Sequence, residues 1–253
     1  MIYEYSRKLP TVEIDATWYR MPDRRMVEAW KSKTPEGFIF SAKVPRVITH
    51  EKYLESCESE LSEFLSVMSI LGEKLGPLLL QFPYFAKGND PEEYETGGDF
   101  INRLRRFAGR LPKEFHWVVE IRNAKWLCAS LLDLLREHGI SLAFIDYYTM
   151  DPLYRLAQNP EVFTAPFVYV RFLGNRKNIE AILEEAKKKG QRKRDWGSLL
   201  VDRANQMKLW IPTLMDLTRK KVPAYVYFNN HYAGYAPGSV ELFGKLLHEA
   251  MTT

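Results

Sequence analysis

The sequence lacks the features that mark secreted proteins, membrane proteins and zinc proteins with thiolate ligands. Its 253 residues include only two cysteines, Cys57 and Cys128, which form no C-x-x-C pair. This excludes a disulfide framework and a zinc site built on thiolates. A membrane-spanning helix requires a run of about 18 apolar residues, and no such run occurs. The N-terminus has no apolar core of signal-peptide length. We therefore predict a cytoplasmic protein with no membrane partner, in which both cysteines are packed.

The chain also lacks a dominant charge and the short motifs of nucleotide and serine chemistry. Its 36 basic and 32 acidic residues give a formal net charge of +4, far from the dense basic stripe of a dedicated nucleic-acid binder. No G-x-G-x-x-G loop, Walker loop or G-x-S-x-G elbow occurs. Nucleotide-driven and serine-nucleophile reactions are therefore disfavoured. Nucleic acid remains an unfavoured alternative partner, through the basic turn Lys187 to Arg194.

What the sequence does contain is a repeated alternation of strand and helix. Seven segments have the apolar pattern of strands, at residues 11–15, 38–44, 76–83, 116–122, 141–147, 167–174 and 224–230. Helices are predicted from Asp23, up to Leu71, at 99–111, 125–138, 178–189 and 195–220, and at a last helix capped by Ser239. A loop is predicted over 84–98. With 46% hydrophobic residues, the chain can bury a full core, so we predict one domain over 1–253.

The two faces of the predicted strands differ, and this difference favours one fold class. An open, doubly wound sheet buries both faces, so its strands read as continuous apolar runs. Here one parity is apolar and the other turns polar toward the carboxyl end of each strand. That pattern suits a TIM-type barrel, whose inner face opens into a site at the carboxyl ends. We predict an α/β fold of the TIM-type (β/α) barrel class, with an open sheet as the structural alternative.

The polar residues at the predicted strand ends fall into three chemical sets. Acids that could transfer protons are Glu13, Glu120 and Asp146. Cations that could hold a phosphate or carboxylate and stabilise developing charge are Lys43, which we also count as catalytic, Arg122 and Arg171. Groups that could orient hydroxyls are Gln81, Tyr227 and Asn229. Buried charges cost several kcal/mol unless paired or solvated, so a functional site explains the set better than a structural ring of ion pairs, which is the alternative.

Three further side chains near the strand ends complete the candidate substrate site. They are Tyr19 and Trp126, whose rings could stack on a sugar or a base, and His50. For each ring, simple packing under a loop is the competing explanation. A small anionic ligand, such as a phosphorylated sugar or polyol, would satisfy all these groups. We therefore predict an enzyme of the isomerase, lyase or hydrolase type that uses general acid–base catalysis, and we assign it no cofactor, with a divalent metal as the alternative.

Two alternatives remain open. A divalent metal on the same acids would give phosphodiester or nucleic-acid hydrolysis, although the nearby cations weigh against metal binding and we assign no metal ligands. A non-catalytic module that binds nucleic acid or protein through the basic turn is the third hypothesis.

Several motifs, in order along nearly the whole chain, resemble one known family. They are Thr-Val-Glu-Ile-Asp-Ala-Thr-Trp-Tyr-Arg-Met-Pro at 11–22, Lys-Val-Pro-Arg at 43–46 with Thr49-His50, Leu-Gly-Pro-Leu-Leu-Leu-Gln-Phe-Pro at 75–83, Glu-Ile-Arg at 120–122, Val-Tyr-Val-Arg-Phe-Leu-Gly at 168–174, and Tyr-Phe-Asn-Asn at 227–230 with Gly-Tyr-Ala-Pro at 234–237. The chain resembles the domain-of-unknown-function 72 (YecE-like) family. The resemblance implies a TIM-type barrel, similar in outline to the sugar isomerase and endonuclease IV group, with no established activity. It also implies a shared pocket at Glu13, Lys43, Gln81, Glu120, Arg122, Asp146, Arg171 and Asn229.

One departure from the family pattern concerns the start of the barrel. Family members usually begin with a strand and a Gly-, Ser- and aromatic-rich loop before the segment that resembles 11–22, whereas ten residues precede it here. We expect the usual first strand to be missing or shortened, unless Met1 to Tyr5 fills part of the gap. Because a barrel short of one strand exposes two edges, we also expect a homodimer in which a second copy covers them.

Overall fold

The chain forms two compact units, Met1–Ser141 and Leu142–Thr253. The computed structural model describes residues 2–85, 96–190 and 197–252. The elements of the first unit are α1 (Ile2–Ser6), β1 (Thr11–Ile14), α2 (Ala16–Tyr19), α3 (Arg24–Ser32), β2 (Ile39–Lys43), α4 (Glu58–Met68), β3 (Leu75–Gln81), α5 (Gly97–Ala108), β4 (Trp117–Glu120) and α6 (Ala129–Glu137). Those of the second unit are β5 (Ser141–Asp146), α7 (Leu153–Leu156), β6 (Val168–Phe172), α8 (Arg176–Lys188), α9 (Ala204–Arg219), β7 (Ala224–Phe228), α10 (Asn230–Ala233) and α11 (Ala236–Thr252).

The strands of the first unit form a parallel sheet in the order of the chain. β1 pairs with β2, β2 with β3 and β3 with β4. Successive side chains of a strand alternate between the two faces of a sheet. One face carries fully buried apolar side chains that pack under the helices, including Phe40, Ala42, Leu78, Leu80 and Val119. The opposite face is the one that carries the polar residues.

The second unit repeats this arrangement with β5, β6 and β7, which are also parallel and adjacent in chain order. An aromatic cluster forms its core. Phe172 of β6 stacks on Phe228 of β7 with ring centroids 4.5 Å apart, and Trp210 of α9 and Phe243 of α11 lie at 4.7 and 5.7 Å from Phe172. Stacked and tilted rings at these distances contribute beyond the apolar area that they bury.

The seven predicted strands are confirmed to within a few residues at each end. The alternative in which Met1 to Tyr5 supplies part of a further strand is not supported, because Ile2–Ser6 is helical. Among the described residues, no helix is both long and apolar enough to cross a membrane.

Several helix predictions were wrong in detail. The single helix expected up to Leu71 is in fact a π-helix at Val47–Glu51, α4, and a 3-10 helix at Ser69–Lys74. The break has a backbone cause, since Tyr53, Leu54 and Ser56 all have positive φ, which an α-helix of L-residues cannot continue through.

Other boundaries also moved. The helix expected over 125–138 is a 3-10 turn at Ala124–Trp126 followed by α6. The helix expected from Asp195 begins at Ala204, and residues 195 and 196 lie outside the described residues. Ser239 does not cap the last helix, which begins three residues earlier. Its hydroxyl instead donates to the Tyr235 carbonyl from a fully buried position inside the helix. Most of the loop expected over 84–98 falls outside the described residues.

Candidate functional site

The carboxyl ends of the first unit's strands bring five polar side chains to one face of the sheet. The register pairs Glu13 with Ser41 and Gln81 with Glu120, and Lys43 pairs with Leu79, two residues before Gln81. Residues that are paired, or two apart on a strand, share a face. The sequence parity therefore predicted this shared face correctly for these residues, whose chemical roles stay predictions.

Lys43, the last residue of β2, forms an ion pair with Asp15 at the end of β1. Its Nζ lies 2.5 Å from Asp15 Oδ1, and the Lys43 side chain is only 12% exposed while that of Asp15 is 56% exposed. The hydroxyl of the buried Thr17 also donates to the Lys43 carbonyl at 2.7 Å. The turn after β1 is thus fastened to the end of β2, which fixes the position of the Lys43 ammonium group.

Glu120, the last residue of β4, is fully buried and pairs with Arg122. The Arg122 Nε–H donates to Glu120 Oε1 at 3.0 Å, and the Arg122 side chain is 22% exposed. A carboxylate in such a position must be paired, because an isolated buried charge is strongly unfavourable. Arg122 supplies that pairing. A guanidinium has five N–H donors in a fixed fork, so one group can support Glu120 and also contact an anion at the strand ends.

His50 lies beside these charges, in the π-helix that follows β2. Its Nδ1 is 2.8 Å from the hydroxyl of the fully buried Thr49. Its ring meets Trp18 of α2 in an edge contact with centroids 5.0 Å apart, and the Arg46 guanidinium lies 5.3 Å from the Trp18 ring centre. Three segments that are separate in sequence therefore meet around one imidazole.

The charge environment of His50 is strongly positive. Burial, which is the largest cause, and the charges of Arg46, Arg122 and Lys43, in that order, together lower the pKa of His50 to about 4. His50 is accordingly neutral at pH 7. We call Lys43, Arg46 and Arg122 the cationic cluster. Each also has an acidic partner, which for Arg46 is Glu51 at 3.0 Å, yet the cations dominate at the imidazole. Several cations that act on one partly buried position are suited to binding an anion there.

Sequence reasoning did not include Arg46 in the site. Trp18 lies in the motif at 11–22, and the Lys-Val-Pro-Arg motif places Arg46 just after the proline that ends β2. What the sequence could not indicate is the π-helix, which has one more residue per hydrogen-bonded turn than an α-helix and commonly occurs at functional sites.

In the second unit, Arg171 and Tyr227 share one face, as predicted. They are direct partners in the register, and both are buried, with 4% and 9% of their surface exposed. The Tyr227 ring contacts that of Tyr169 at 5.1 Å. Asn229 is exposed and caps α10, where its Oδ1 accepts from the backbone N–H of His231 at 2.9 Å. The side chain of Asn229 therefore acts as the N-terminal cap of α10.

Asp146 is the last residue of β5, as its predicted place at a strand end requires. It pairs with Phe172, whereas Arg171 pairs with Ile145, so Asp146 points to the opposite face of this sheet from Arg171 and Tyr227. This follows from the regular alternation of side chains along β5, in which Asp146 comes directly after Ile145. The Tyr232 hydroxyl donates to Asp146 Oδ2 at 3.2 Å, and the chemical role of Asp146 stays a prediction.

The remaining predicted contacts are also located. Gln81 is buried, and its side-chain N–H₂ donates to the Phe82 carbonyl at 3.0 Å. Tyr19 is 68% exposed. Trp126 is 6% exposed and packs on Phe85 and Phe100, each with ring centroids 4.9 Å away. For Trp126, the competing explanation of simple packing is the one that its contacts match.

Two other expectations concern the cysteines and the basic turn. Cys57 is buried as expected, whereas Cys128 is exposed just before α6, so its predicted packing was wrong. Within the basic turn, Lys187 and Lys188 end α8, and residues 191–194 lie outside the described residues. In the described parts of the chain, no three His, Cys, Asp or Glu side chains come together in a group able to hold a metal ion.

Comparison with known proteins places this geometry in a family. The family model for the protein of unknown function DUF72 matches residues 1–253. The chain belongs to the DUF72 family. The resemblance carried by the motifs is thereby confirmed, and the site described above is a feature of a DUF72 protein.

Two curated DUF72 relatives are similar to this chain at low identity. The UPF0759 protein YecE of Escherichia coli K12 is 29% identical over 148 residues, which cover 56% of this chain and 51% of YecE. The match therefore spans about half the length of that relative. The UPF0759 protein YunF of Bacillus subtilis 168 is 26% identical over 256 residues, which cover 96% of this chain and 85% of YunF.

Solved DUF72 structures define the fold class. A DUF72 family protein from Enterococcus faecalis V583 is 25% identical, with a TM-score of 0.68 over 98% of this chain and 93% of that chain. Another from Thermotoga maritima MSB8 is 24% identical, with a TM-score of 0.68 over 95% of this chain and 85% of that chain. The DUF72 chain thus has an α/β fold of the TIM-barrel class, as predicted from its strand pattern.

Proposed function

We propose that this DUF72 protein is an enzyme that acts on a small anionic substrate, such as a phosphorylated sugar or polyol, by acid–base catalysis. The proposed site lies at the carboxyl ends of β1 to β4. The observation that carries the proposal is the cationic cluster, whose three charges act on His50. Its member Arg46 lies over the ring of Trp18, and that ring contacts His50. In TIM-barrel enzymes the active site lies at this end of the strands.

The cations are positioned before any ligand arrives. Lys43 is held by Asp15, and Arg122 is held by Glu120. Fixed groups need little reorganisation when an anion binds, and bidentate contacts from arginine to phosphate are among the stronger hydrogen bonds in proteins. The Trp18 ring, beside Arg46, is a surface on which the carbon skeleton of a sugar phosphate can pack.

Glu120 is our choice for the general acid or base, with Glu13 on the same face as the second acid. An arginine partner favours the ionised form of a carboxylate, and an ionised carboxylate suits abstraction of a proton from carbon or from a hydroxyl group. The developing negative charge on the substrate would then be stabilised by the nearby cations. The candidate residues of the second unit, Arg171, Tyr227 and Asn229, stay predictions for substrate binding.

The proposal is tested by comparing phosphorylated and unphosphorylated ligands on purified full-length protein. Calorimetry with glucose 6-phosphate, ribose 5-phosphate and the corresponding free sugars should show binding of the phosphorylated compounds only. Arg122→Gln should weaken that binding about 10- to 100-fold, since a charged hydrogen bond is worth roughly 1.5–3 kcal/mol. Glu120→Gln should retain binding within a few-fold and abolish any turnover that NMR detects.

Arg24→Gln is the matched control for charge. Arg24 lies on α3, is 65% exposed and forms a weak ion pair with Glu28 at 3.7 Å, so its loss removes the same charge far from the strand ends in sequence and should leave binding unchanged. Circular dichroism would establish that each variant is folded. Equal affinity for sugars with and without phosphate, or an Arg122→Gln variant that binds like the native protein, would rule the proposal out.

A further inference from the structure

The segment that presents His50 has an unusual backbone on both sides of the histidine. His50 belongs to the π-helix Val47–Glu51, and Tyr53, Leu54 and Ser56 follow with φ values of 47°, 70° and 48°. Left-handed conformations of residues with side chains are unfavourable and persist only where the surrounding structure imposes them. The fold therefore holds this segment in a conformation that the intrinsic backbone preferences of its residues disfavour. Within the segment, His50 carries the imidazole on which the cations act.

The side chains around His50 come from α2, from the ends of β2 and β4, and from the segment that contains His50 itself. From the start of α2 come Trp18, in ring contact with His50, and Asp15, the partner of Lys43. Lys43 ends β2, and the segment of His50 itself contributes Arg46 with its partner Glu51. The end of β4 contributes Arg122 with Glu120. Thr49, whose hydroxyl touches His50 Nδ1, is, like Trp18, an uncharged member of this set.

We propose that an oxyanion bound by the cationic cluster is accompanied by one proton from solvent, which His50 accepts, so that His50 becomes an imidazolium in the complex. This inference rests on the proposed function and adds to it a bound-state acid that is absent from the free protein. In the free protein, burial and the charges of the cations together keep the imidazole neutral. A bound oxyanion offsets their charge, so protonation of His50 becomes more favourable and the new N–H can donate to the ligand.

The local geometry permits this change without a rearrangement of the chain. A neutral imidazole has one donor and one acceptor nitrogen, whereas an imidazolium has two donors. The Thr49 hydroxyl rotates between donating and accepting, so its 2.8 Å contact with Nδ1 can be kept in both protonation states. Atoms and charge balance in this step, because neutral His50 and one proton from solvent give the imidazolium while the anion is unchanged. The proton that His50 gains is then available for transfer to a leaving oxygen of a substrate.

Sulfate is the suitable probe, because it stays fully ionised near neutral and mildly acidic pH, so a proton taken up on binding goes to the protein. Titration calorimetry of the full-length protein with sodium sulfate, in buffers of different ionisation enthalpy, measures proton uptake directly. The affinity for sulfate should rise about tenfold or more between pH 7 and pH 5 if binding restores an ordinary imidazole pKa. His50→Gln should remove most of that pH dependence, whereas His248→Gln, which changes an exposed histidine on α11, should retain it.

NMR of the histidine side chains gives a second readout, in which the titration is followed in the native protein. The pKa of His50 in the native protein should be higher with sulfate than without it, and the spectrum of the His50→Gln variant assigns the resonance. Sulfate binding with no proton uptake, and with less than a twofold change between pH 7 and pH 5, would overturn the inference and leave the anion site standing. No sulfate binding, or binding that Arg122→Gln does not weaken, would overturn the proposed function and this inference together.

Discussion

Asp146, at the end of β5, and Tyr232 of α10 form a hydrogen-bonded pair in which the pKa of both groups is shifted. Burial raises the pKa of Asp146, while the hydrogen bond from Tyr232 and the charge of Arg203 act in the opposite direction. Burial and the neighbouring carboxylate also raise the pKa of Tyr232. The Arg203 Nε–H donates to the Tyr232 carbonyl at 3.1 Å, so the three residues form a small hydrogen-bonded group on the helix-covered face of the sheet.

Replacing Asp146 with asparagine should change how stability depends on pH. Because the pKa of Asp146 is raised in the folded state, folding favours the protonated acid. This contribution is complete below the ordinary aspartate pKa and is lost as the pH rises through the folded pKa. An asparagine side chain at this position does not titrate and still accepts from Tyr232. We expect urea unfolding to show that Asp146→Asn gains stability relative to the native protein as the pH rises from 4 to 7.

Asp216→Asn is the control for this comparison. Asp216 is 53% exposed and pairs with Lys220 on the surface of α9, so the difference between this variant and the native protein should stay nearly constant with pH. An Asp146→Asn variant that instead becomes less stable relative to the native protein as the pH rises would mean that the ionised form of Asp146 is the one favoured by the fold.

Element boundaries mark where sequence reasoning succeeded and where it failed. Strand ends were predictable, because apolar residues alternate with polar ones and Pro45 and Gly174 stop the pattern. The break of the helix before α4 was not, because Tyr53 and Leu54 are residues that ordinarily avoid positive φ. The surroundings of His50 could therefore not be derived from the sequence. The Glu120 and Arg122 pair could be, since two residues of one parity at a strand end share a face.

Gly174, at the end of β6, lies so close to the backbone of α10 that the position has no room for a side chain. Its φ is +68°, and a Cβ there would lie 2.3 Å from the His231 carbonyl oxygen and 2.4 Å from the Tyr232 Cα. Both are backbone atoms of α10, which cannot move aside without displacing the helix. We expect Gly174→Ala to lower the free energy of unfolding by more than about 3 kcal/mol, from the combined cost of positive φ and overpacking.

Gly139 offers a matched control for the backbone cost alone. It ends α6 with φ of +63° and has nothing within 4 Å of the added Cβ. Gly139→Ala should therefore cost only about 1 kcal/mol in urea unfolding. If the two variants lose similar stability, the close approach of Gly174 to α10 contributes nothing measurable.

For the whole molecule, the fold class could be predicted from the sequence, whereas the reaction could not. Seven strands alternating with helices lead to the TIM-barrel class with no knowledge of any contact, and the motifs lead to DUF72. A barrel fold hosts many chemistries, however, so function has to be argued from the site. The charge balance of +4 gives no indication that Lys43, Arg46 and Arg122 converge on one histidine, because that convergence depends on the turn conformations after β2 and β4.

The stability of the whole chain toward acid should report on this convergence. The pKa of His50 is lowered to about 4 in the folded state, below the ordinary value of about 6.5, so folding favours the neutral imidazole. The resulting stabilisation is complete above the ordinary value and is lost as the pH falls through the folded pKa. Discounted for solvent screening, the native protein should lose about 1 kcal/mol more than His50→Gln between pH 7 and pH 4 in urea unfolding. Sulfate should reduce that extra loss, because an anion that binds only the folded protein together with a proton on His50 stabilises it most where that proton is available. An identical decline for both proteins, with and without sulfate, would show that the cations do not act on His50 in the folded chain.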